Sequence, residues 1–276
     1  MNELIRGIDR ETAEQTSDTR KHSAAGKPGS PIVFAHRGAS GTRPENTMAA
    51  FRRAIELGAT GIETDVQLSA DGEPVLIHDE TLSRTAAAPG CVVEKTYAEL
   101  RSLDAGSWYH PEFMGEQIPH LDELLKLAKN TGIVVNIELK NTVCAYPGLE
   151  EKVIAAVRAH GVEEQTIVSS FNHYSLALCK KLAPEIRTGV LYMEGLYRPW
   201  DYAKTLGADA LHAYDPAVTA DWVREALEAG VDYHPFTVND EARLDALIEM
   251  GAAGIITDHP DRVVRLLVQR RVDSEL

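Results

Sequence analysis

The sequence is poor in the features that mark several large protein classes. Its three cysteines, Cys91, Cys144 and Cys179, are scattered with no CxxC pair. That excludes a zinc ribbon or a disulfide framework and fits a reduced compartment. No run of 18 or more apolar residues occurs, so no membrane span is expected. The first 30 residues lack the apolar core of a secretory signal. They are polar, with Gly, Ser and Lys near their end, and read as a flexible tail. A cytoplasmic location is the expectation that follows. Basic clusters are scarce too: "RKH" at 20–22 and "RR" at 270–271 are short and close to the ends. With a formal net charge of −14, a nucleic-acid-binding face is not expected. A small anionic substrate remains compatible, because a site can carry its own cations.

What the chain does have is alternation. Past residue 31, short runs rich in Val and Ile alternate with segments of helical period. The expected strands are "PIVFA" (31–35), "GIETDV" (61–66), "IVVNIEL" (133–139), "TIVSSF" (166–171), "RTGVLYM" (187–193), "DALHAY" (209–214), "DYHPFTV" (232–238) and "AGIITD" (253–258). Helices are expected between them, beginning with "ENTMAAFRRAIELG" (45–58) and "HLDELLKLAKNTG" (120–132) and ending with "PDRVVRLLVQRR" (260–271). Eight β-then-α units in about 240 residues is the arithmetic of an α/β chain folded as a (β/α)8 TIM barrel. A doubly wound open sheet is the main rival, but "HRGASG" (36–41) lacks the dinucleotide-binding glycine spacing. The expected organisation is a tail over 1–30 and one barrel domain over 31–276. The barrel carries a small insertion after strand 2, about residues 68–118, with a short strand ending at His78. A βα loop of that length is more often functional than neutral.

Polar residues gather where a barrel keeps its active site, at the C-terminal ends of the strands. His36 and Arg37 close the first strand. Glu63 and Asp65 lie two apart on the second, so their side chains share a face. Glu138 and Lys140 repeat that spacing on the third, while Thr237, Asn239 and Asp258 end the last two. Glu63, Asp65 and Glu138 are oxygen donors suited to one hard divalent cation, Mg2+ or Ca2+. The plain alternative is an ion-pair network with Arg37 and Lys140. One acid on a strand favours that alternative; three, with two histidines on the same rim, favour the metal. His36 and His78 suit general acid and base roles. Arg37 and Lys140 suit a phosphate, the first as a fork and the second as a point charge. His212 and His234 are open between lining the site and packing. His22, His110, His120, His160, His173 and His259 read as surface, loop or cap residues.

These residues resemble a known family. "AHRGASGTRPENTMAAFRRAIELGATGIETDVQLSADGEPVLIHDETLSRT" (35–85) is similar to the signature region of the glycerophosphodiester phosphodiesterases, and "VNIELK" (135–140), "FTVN" (236–239) and "IITDHP" (255–260) continue the match. The resemblance spans about residues 32–265. It implies metal-dependent hydrolysis of a glycerophosphodiester to sn-glycerol 3-phosphate and an alcohol, through a cyclic phosphate. It implies that Glu63, Asp65 and Glu138 bind the metal, that His36 and His78 form the acid/base pair, and that Arg37 and Lys140 hold the phosphate. Glu45, in "PENT", is implied as a further ligand or a group behind the ligands. Many relatives carry Trp where this chain has Phe236; an aromatic surface for the glycerol carbons is kept, and Phe171 is a second candidate for that apolar wall. The expected partner is a small glycerophosphodiester, with no nucleic acid and no stable membrane insertion. Two other readings stand beside this one. A phosphatidylinositol-type phospholipase C shares the barrel and the two histidines, but the chain shows no Trp/Lys-rich amphipathic helix for a membrane surface. A non-catalytic phosphodiester-binding barrel is disfavoured by the intact His36 and His78.

Overall fold

The Val- and Ile-rich runs form parallel strands buried on both faces, the pattern expected when helices cover a sheet. The structure, a computed structural model, describes residues 30–274. The expected tail lies, apart from Ser30, outside the described residues, as does His22. The barrel begins with β1 (Ile32–His36), α1 (Met48–Glu56), β2 (Gly61–Leu68) and, within the insertion, β3 (Pro74–Leu76) and α2 (Tyr97–Arg101). It continues with α3 (Leu121–Thr131), β4 (Val134–Leu139), α4 (Leu149–His160), β5 (Thr166–Ser170) and α5 (His173–Leu182). The remainder is β6 (Arg187–Tyr192), α6 (Pro199–Thr205), β7 (Ala210–Ala213), α7 (Ala220–Glu228), β8 (Asp232–Tyr233), α8 (Glu241–Met250), β9 (Gly254–Thr257) and α9 (Pro260–Ser274).

The eight parallel strands run in the order β8-β7-β6-β5-β4-β2-β1-β9, with β3 antiparallel on β2. The expected strand over 232–238 is reduced to Asp232–Tyr233. Pro235 has no N–H to give a ladder. The segment instead closes the barrel through single bonds: Ala253 N to Tyr233 O (3.1 Å), Ile256 N to Pro235 O (3.0 Å) and Val238 N to Ile256 O (2.9 Å). The result is a nearly closed TIM barrel.

Outward-facing strand residues pack on the helices in two large clusters. Ile62, Val66, Val135 and Ile137 meet Phe51, Leu124, Leu125 and Val153; Val33, Val190, Leu211 and Ile255 meet Trp200, Val223, Leu244 and Val263. Phe34, Val134, Ile167 and Ile256 fill the barrel itself. Glycines on the inner face make room for larger neighbours. A Cβ on Gly61 would lie 2.4 Å from Phe34 Cδ1, and one on Gly189 would lie 2.3 Å from His212 Nε2. The first helix starts at Met48 rather than residue 45, because Thr47 caps it by accepting from Ala50 N.

The insertion has its own small core of Val75, Ile77, Leu82, Val92, Leu100 and Ile118. β3 stops at Leu76, two residues short of the expected end at His78. The chain beyond it is held by a side chain instead of a ladder: Gln67 Nε2 lies 3.0 Å from the carbonyl oxygens of Ile77, His78 and Asp79. Tyr146 donates its hydroxyl to Gln67 Oε1 (2.7 Å), which fixes the amide. Among the described residues no helix is long and apolar enough to cross a membrane.

A methyl group at Gly189 has no free space, since His212 is held by its own hydrogen bonds. Gly189→Ala should destabilise the fold by about 1–3 kcal/mol, read as a lower urea midpoint. An unchanged midpoint would contradict this packing.

Candidate active site

Strand parity and register assemble the rim. His36 pairs in register with Glu63, and Asp65 with Glu138. Glu63, Asp65 and Glu138 thus face inward from adjacent strands, and one oxygen of each lies within 4.8 Å of the others. Burial sets their electrostatics. Glu63 is pushed well above the usual carboxylate range by burial and then by the charges of Asp65 and Glu138. Glu138 is pushed up to about 7 by burial and then by Asp65. Asp65 is the exception. Burial would raise it, but Arg37, His78, Lys140 and a hydrogen bond from Asn46 outweigh that and keep it low. Two of the three acids are therefore under-compensated by protein cations. A divalent cation fits this donor set: three hard oxygens, converging and short of positive charge.

The neighbouring cations bind the same acids. Lys140 Nζ donates to Glu138 Oε1 (3.0 Å) and lies 3.9 Å from Asp65 Oδ1. Burial alone would lower Lys140, yet Glu138 and Asp65 raise it, so it stays charged. Arg37 gives its backbone N–H to Glu63 Oε2 (3.0 Å), and its Nε lies 3.5 Å from Asp65 Oδ2. Arg37 and Asn46 both adopt φ 54°, in the left-handed region. Such conformations in non-glycine residues persist where the surroundings enforce them. Here Asn46 N donates to Arg37 O (2.9 Å), Asn46 Nδ2 to Asp65 Oδ2 (2.9 Å), and Thr64 Oγ1 to Asn46 Oδ1 (2.7 Å).

Each rim histidine has one nitrogen on a carboxylate and the other toward the acidic cluster. His36 Nδ1 is 2.7 Å from Asp258 Oδ1, and its Nε2 is 3.9 Å from Glu63 Oε2. Asp258 in turn accepts from Ser40 Oγ (2.9 Å) and Asn239 Nδ2 (2.6 Å). His78 Nδ1 is 2.6 Å from Asp79 Oδ1, and its Nε2 is 3.2 Å from Lys140 Nζ. An ammonium only donates, so His78 presents a lone pair at Nε2 and carries its proton on Nδ1. Burial, with Arg37 and Lys140 adding to it against the pull of Asp65, lowers His78. It stands neutral at working pH.

Glu45 sits outside the three-acid cluster. Its Oε1 accepts from Arg37 Nη1 (2.7 Å), and Arg84 Nη1 and Nη2 reach its two oxygens at 2.7 and 2.8 Å. Phe171, just past β5, and Phe236, just past β8, meet edge to face with centroids 6.1 Å apart. Tyr214 adds a third ring 6.4 Å from Phe236. His212 and His234 lie away from this rim, fully buried in the barrel interior. His234 Nδ1 is 3.0 Å from His212 Nε2, and His212 Nδ1 is 3.4 Å from Asn136 Nδ2. His120 caps α3 and His110 the short turn at 111–113.

The sequence reading assigned no role to Gln67, Asn46, Asp79 or Arg84, nor a partner to Asp258. Asp79 and Arg84 stand in plain view in "HDETLSRT". Their mutual contact spans only five residues, but Glu45, the other partner of Arg84, stands 39 residues away, and periodicity carries no signal for either contact.

Comparison with known proteins decides what this rim belongs to. Residues 36–262 match the model of the glycerophosphoryl diester phosphodiesterase family. The chain belongs to that family. It is accordingly an enzyme, a phosphoric diester hydrolase of the glycerophosphodiester phosphodiesterase type. The chain is 45% identical over 236 residues to a glycerophosphodiester phosphodiesterase of Caldanaerobacter subterraneus subsp. tengcongensis, covering 86% of this chain and 97% of that one. It is 44% identical over 238 residues to one from Bacillus altitudinis, covering 85% and 97%. A solved phosphodiesterase from Oleispira antarctica, in complex with the product sn-glycerol-3-phosphate, superposes with a TM-score of 0.78 at 34% identity, covering 87% of this chain and 97% of that one. The family match spans the rim from His36 through Asp258.

The buried histidine pair makes stability depend on pH in a defined direction. Burial holds His212 down at about 3; burial, then His212 and Arg187, hold His234 well below its ordinary value. Below about pH 6.5 the unfolded chain takes up protons there that the folded chain refuses, so this contribution is full above that pH and drains as pH falls. In a His212→Gln, His234→Gln variant that drain is gone. Relative to the parent, the variant should gain about 1.4 kcal/mol per histidine for each pH unit below about 6.5, whatever its stability at neutral pH. Urea unfolding of both chains from neutral to mildly acidic pH checks this; a difference independent of pH would contradict it.

Proposed function

We propose that this protein hydrolyses glycerophosphodiesters to sn-glycerol 3-phosphate and a free alcohol, using one divalent cation, Mg2+ or Ca2+, and the histidines His36 and His78. The observation that carries the reading is the pairing of those histidines with one acidic cluster. Both are seated on a carboxylate through Nδ1 and present Nε2 to the group formed by Glu63, Asp65, Glu138 and Lys140. The Oleispira antarctica relative, solved with sn-glycerol-3-phosphate, supports the same product here.

Glu63, Asp65 and Glu138 would hold the cation. When bound, it supplies positive charge to the non-bridging phosphate oxygens. Arg37 and Lys140 hold the same phosphate from beside the acids, the first presenting a planar fork and the second a point charge. One histidine takes the proton of the glycerol hydroxyl next to the phosphate, and that oxygen attacks phosphorus. The other histidine gives a proton to the leaving alcohol oxygen. The cyclic phosphate is then opened by water with the proton roles reversed. Glu45 acts behind Arg37, holding its guanidinium, rather than as a ligand. Phe171 and Phe236 offer an apolar wall to the glycerol carbons, with Tyr214 beside them.

Glu63→Ala and Asp65→Ala should each abolish cation-dependent release of glycerol 3-phosphate while circular dichroism stays native; full activity in either would remove that residue from the cation site. His36→Ala and His78→Ala should each lower turnover by about a hundredfold or more. A loss below about threefold would take that residue out of proton transfer. The decisive assay is a panel of glycerophosphocholine, -ethanolamine, -glycerol and -inositol, run separately with Mg2+ and Ca2+. No release from any member would favour a barrel that binds phosphodiesters without cleaving them.

A further inference from the structure

His78 stands on the insertion and Arg37 on the first βα loop of the barrel, and a single side chain joins their supports. Arg84 Nε donates to Asp79 Oδ2 (2.7 Å) and Nη2 to Asp79 Oδ1 (2.8 Å). The other side of the same guanidinium meets Glu45, with Nη1 on Oε2 (2.7 Å) and Nη2 on Oε1 (2.8 Å). Asp79 Oδ1 is the partner of His78 Nδ1, and Glu45 Oε1 is the partner of Arg37 Nη1. An unbroken line therefore runs His78–Asp79–Arg84–Glu45–Arg37. Trp108, from farther along the insertion, covers the guanidinium with its ring centroid 5.9 Å from Cζ.

We propose that Arg84 is a positioning residue for the reaction: its planar fork orients the His78 imidazole and the Arg37 guanidinium together. This rests on the reading of His78 as a proton-transfer group and Arg37 as a phosphate ligand. The geometry requires an arginine. Four carboxylate oxygens lie in reach of one flat group, and an ammonium, with its compact charge, cannot serve both pairs at once. The hydrogen bond from Arg84 is the largest influence holding the Asp79 carboxyl well below its usual range, so Asp79 remains an acceptor for the Nδ1 proton. The Asp79 bond at Nδ1 and the Lys140 contact at Nε2 hold the imidazole from its two sides. Asp79 and Arg84 are both partly exposed. Without the fork, Asp79 would be a loop carboxylate free to turn toward water, and the imidazole would be held from the Lys140 side alone.

The test uses Arg84→Ala and Arg84→Lys in the full chain. Arg84→Ala should lower kcat by about tenfold or more and raise KM by a smaller factor, with a native circular dichroism spectrum. Arg84→Lys should recover only part of the loss. Millimolar guanidinium should restore kcat in Arg84→Ala, while sodium chloride or urea at the same concentration should not, and guanidinium should not rescue His78→Ala. A purely structural role would not give that selective rescue. Independently of turnover, NMR should show the His78 Nδ1–H proton shifted downfield and protected from exchange with water in the parent, and upfield and fast-exchanging in Arg84→Ala. A kcat within about threefold of the parent, rescue by any salt, or an unchanged His78 Nδ1–H resonance in Arg84→Ala would overturn the proposal. If the parent cleaved none of the panel substrates, the functional reading would fail, and the NMR comparison would still decide the role of Arg84.

Discussion

The concentration of negative charge at one end of the barrel is the constraint around which its neighbours are arranged. Glu63, Asp65 and Glu138 bring oxygens within 4.8 Å of one another in a place largely closed to water, where ionised groups need compensation. Arg37 and Lys140 supply part of it, but Glu63 and Glu138 remain pushed upward. A site left short of positive charge, with hard oxygen donors already converged, suits a divalent cation. The left-handed backbone at Arg37 and Asn46 belongs to the same arrangement. It turns a peptide N–H onto Glu63 and an amide onto Asp65.

The histidines show how location divides one residue type into two tasks. His212 and His234 sit in the barrel interior, hydrogen-bonded to each other and deprived of solvent, so protonation there opposes folding. His36 and His78 sit at the rim, each with a carboxylate on Nδ1, and with Nε2 turned to Glu63 and to Lys140 respectively. A carboxylate on Nδ1 fixes the ring and its tautomer, and the second nitrogen is left for chemistry. The same imidazole is a filler in one setting and, in the proposed reaction, a proton carrier in the other.

The insertion is joined to the barrel by polar side chains as much as by packing. Its small core stands apart from the two large ones. Gln67 holds the backbone on which His78 is carried, and Arg84 ties Asp79 to Glu45. Half of the proposed acid/base pair thus arrives on a segment outside the eightfold repeat.

The sequence by itself determined the repeat and the inward acids. Period-two spacing puts Glu63 and Asp65 on one face, and eight Val/Ile runs alternating with helical segments match the unit count of a barrel. These are local properties, carried by neighbours along the chain. Only the tertiary structure decided the place of His212 and His234, which pair with each other in the barrel interior away from the rim. It alone showed that Pro235 cuts the seventh expected strand to two residues. It alone moved Glu45 from the acids to two arginines and brought Arg84 to Asp79 and Glu45. Glu45 and Arg84 stand 39 residues apart, and the contact is made by side-chain reach across a closed fold, for which no periodicity in the chain leaves a trace.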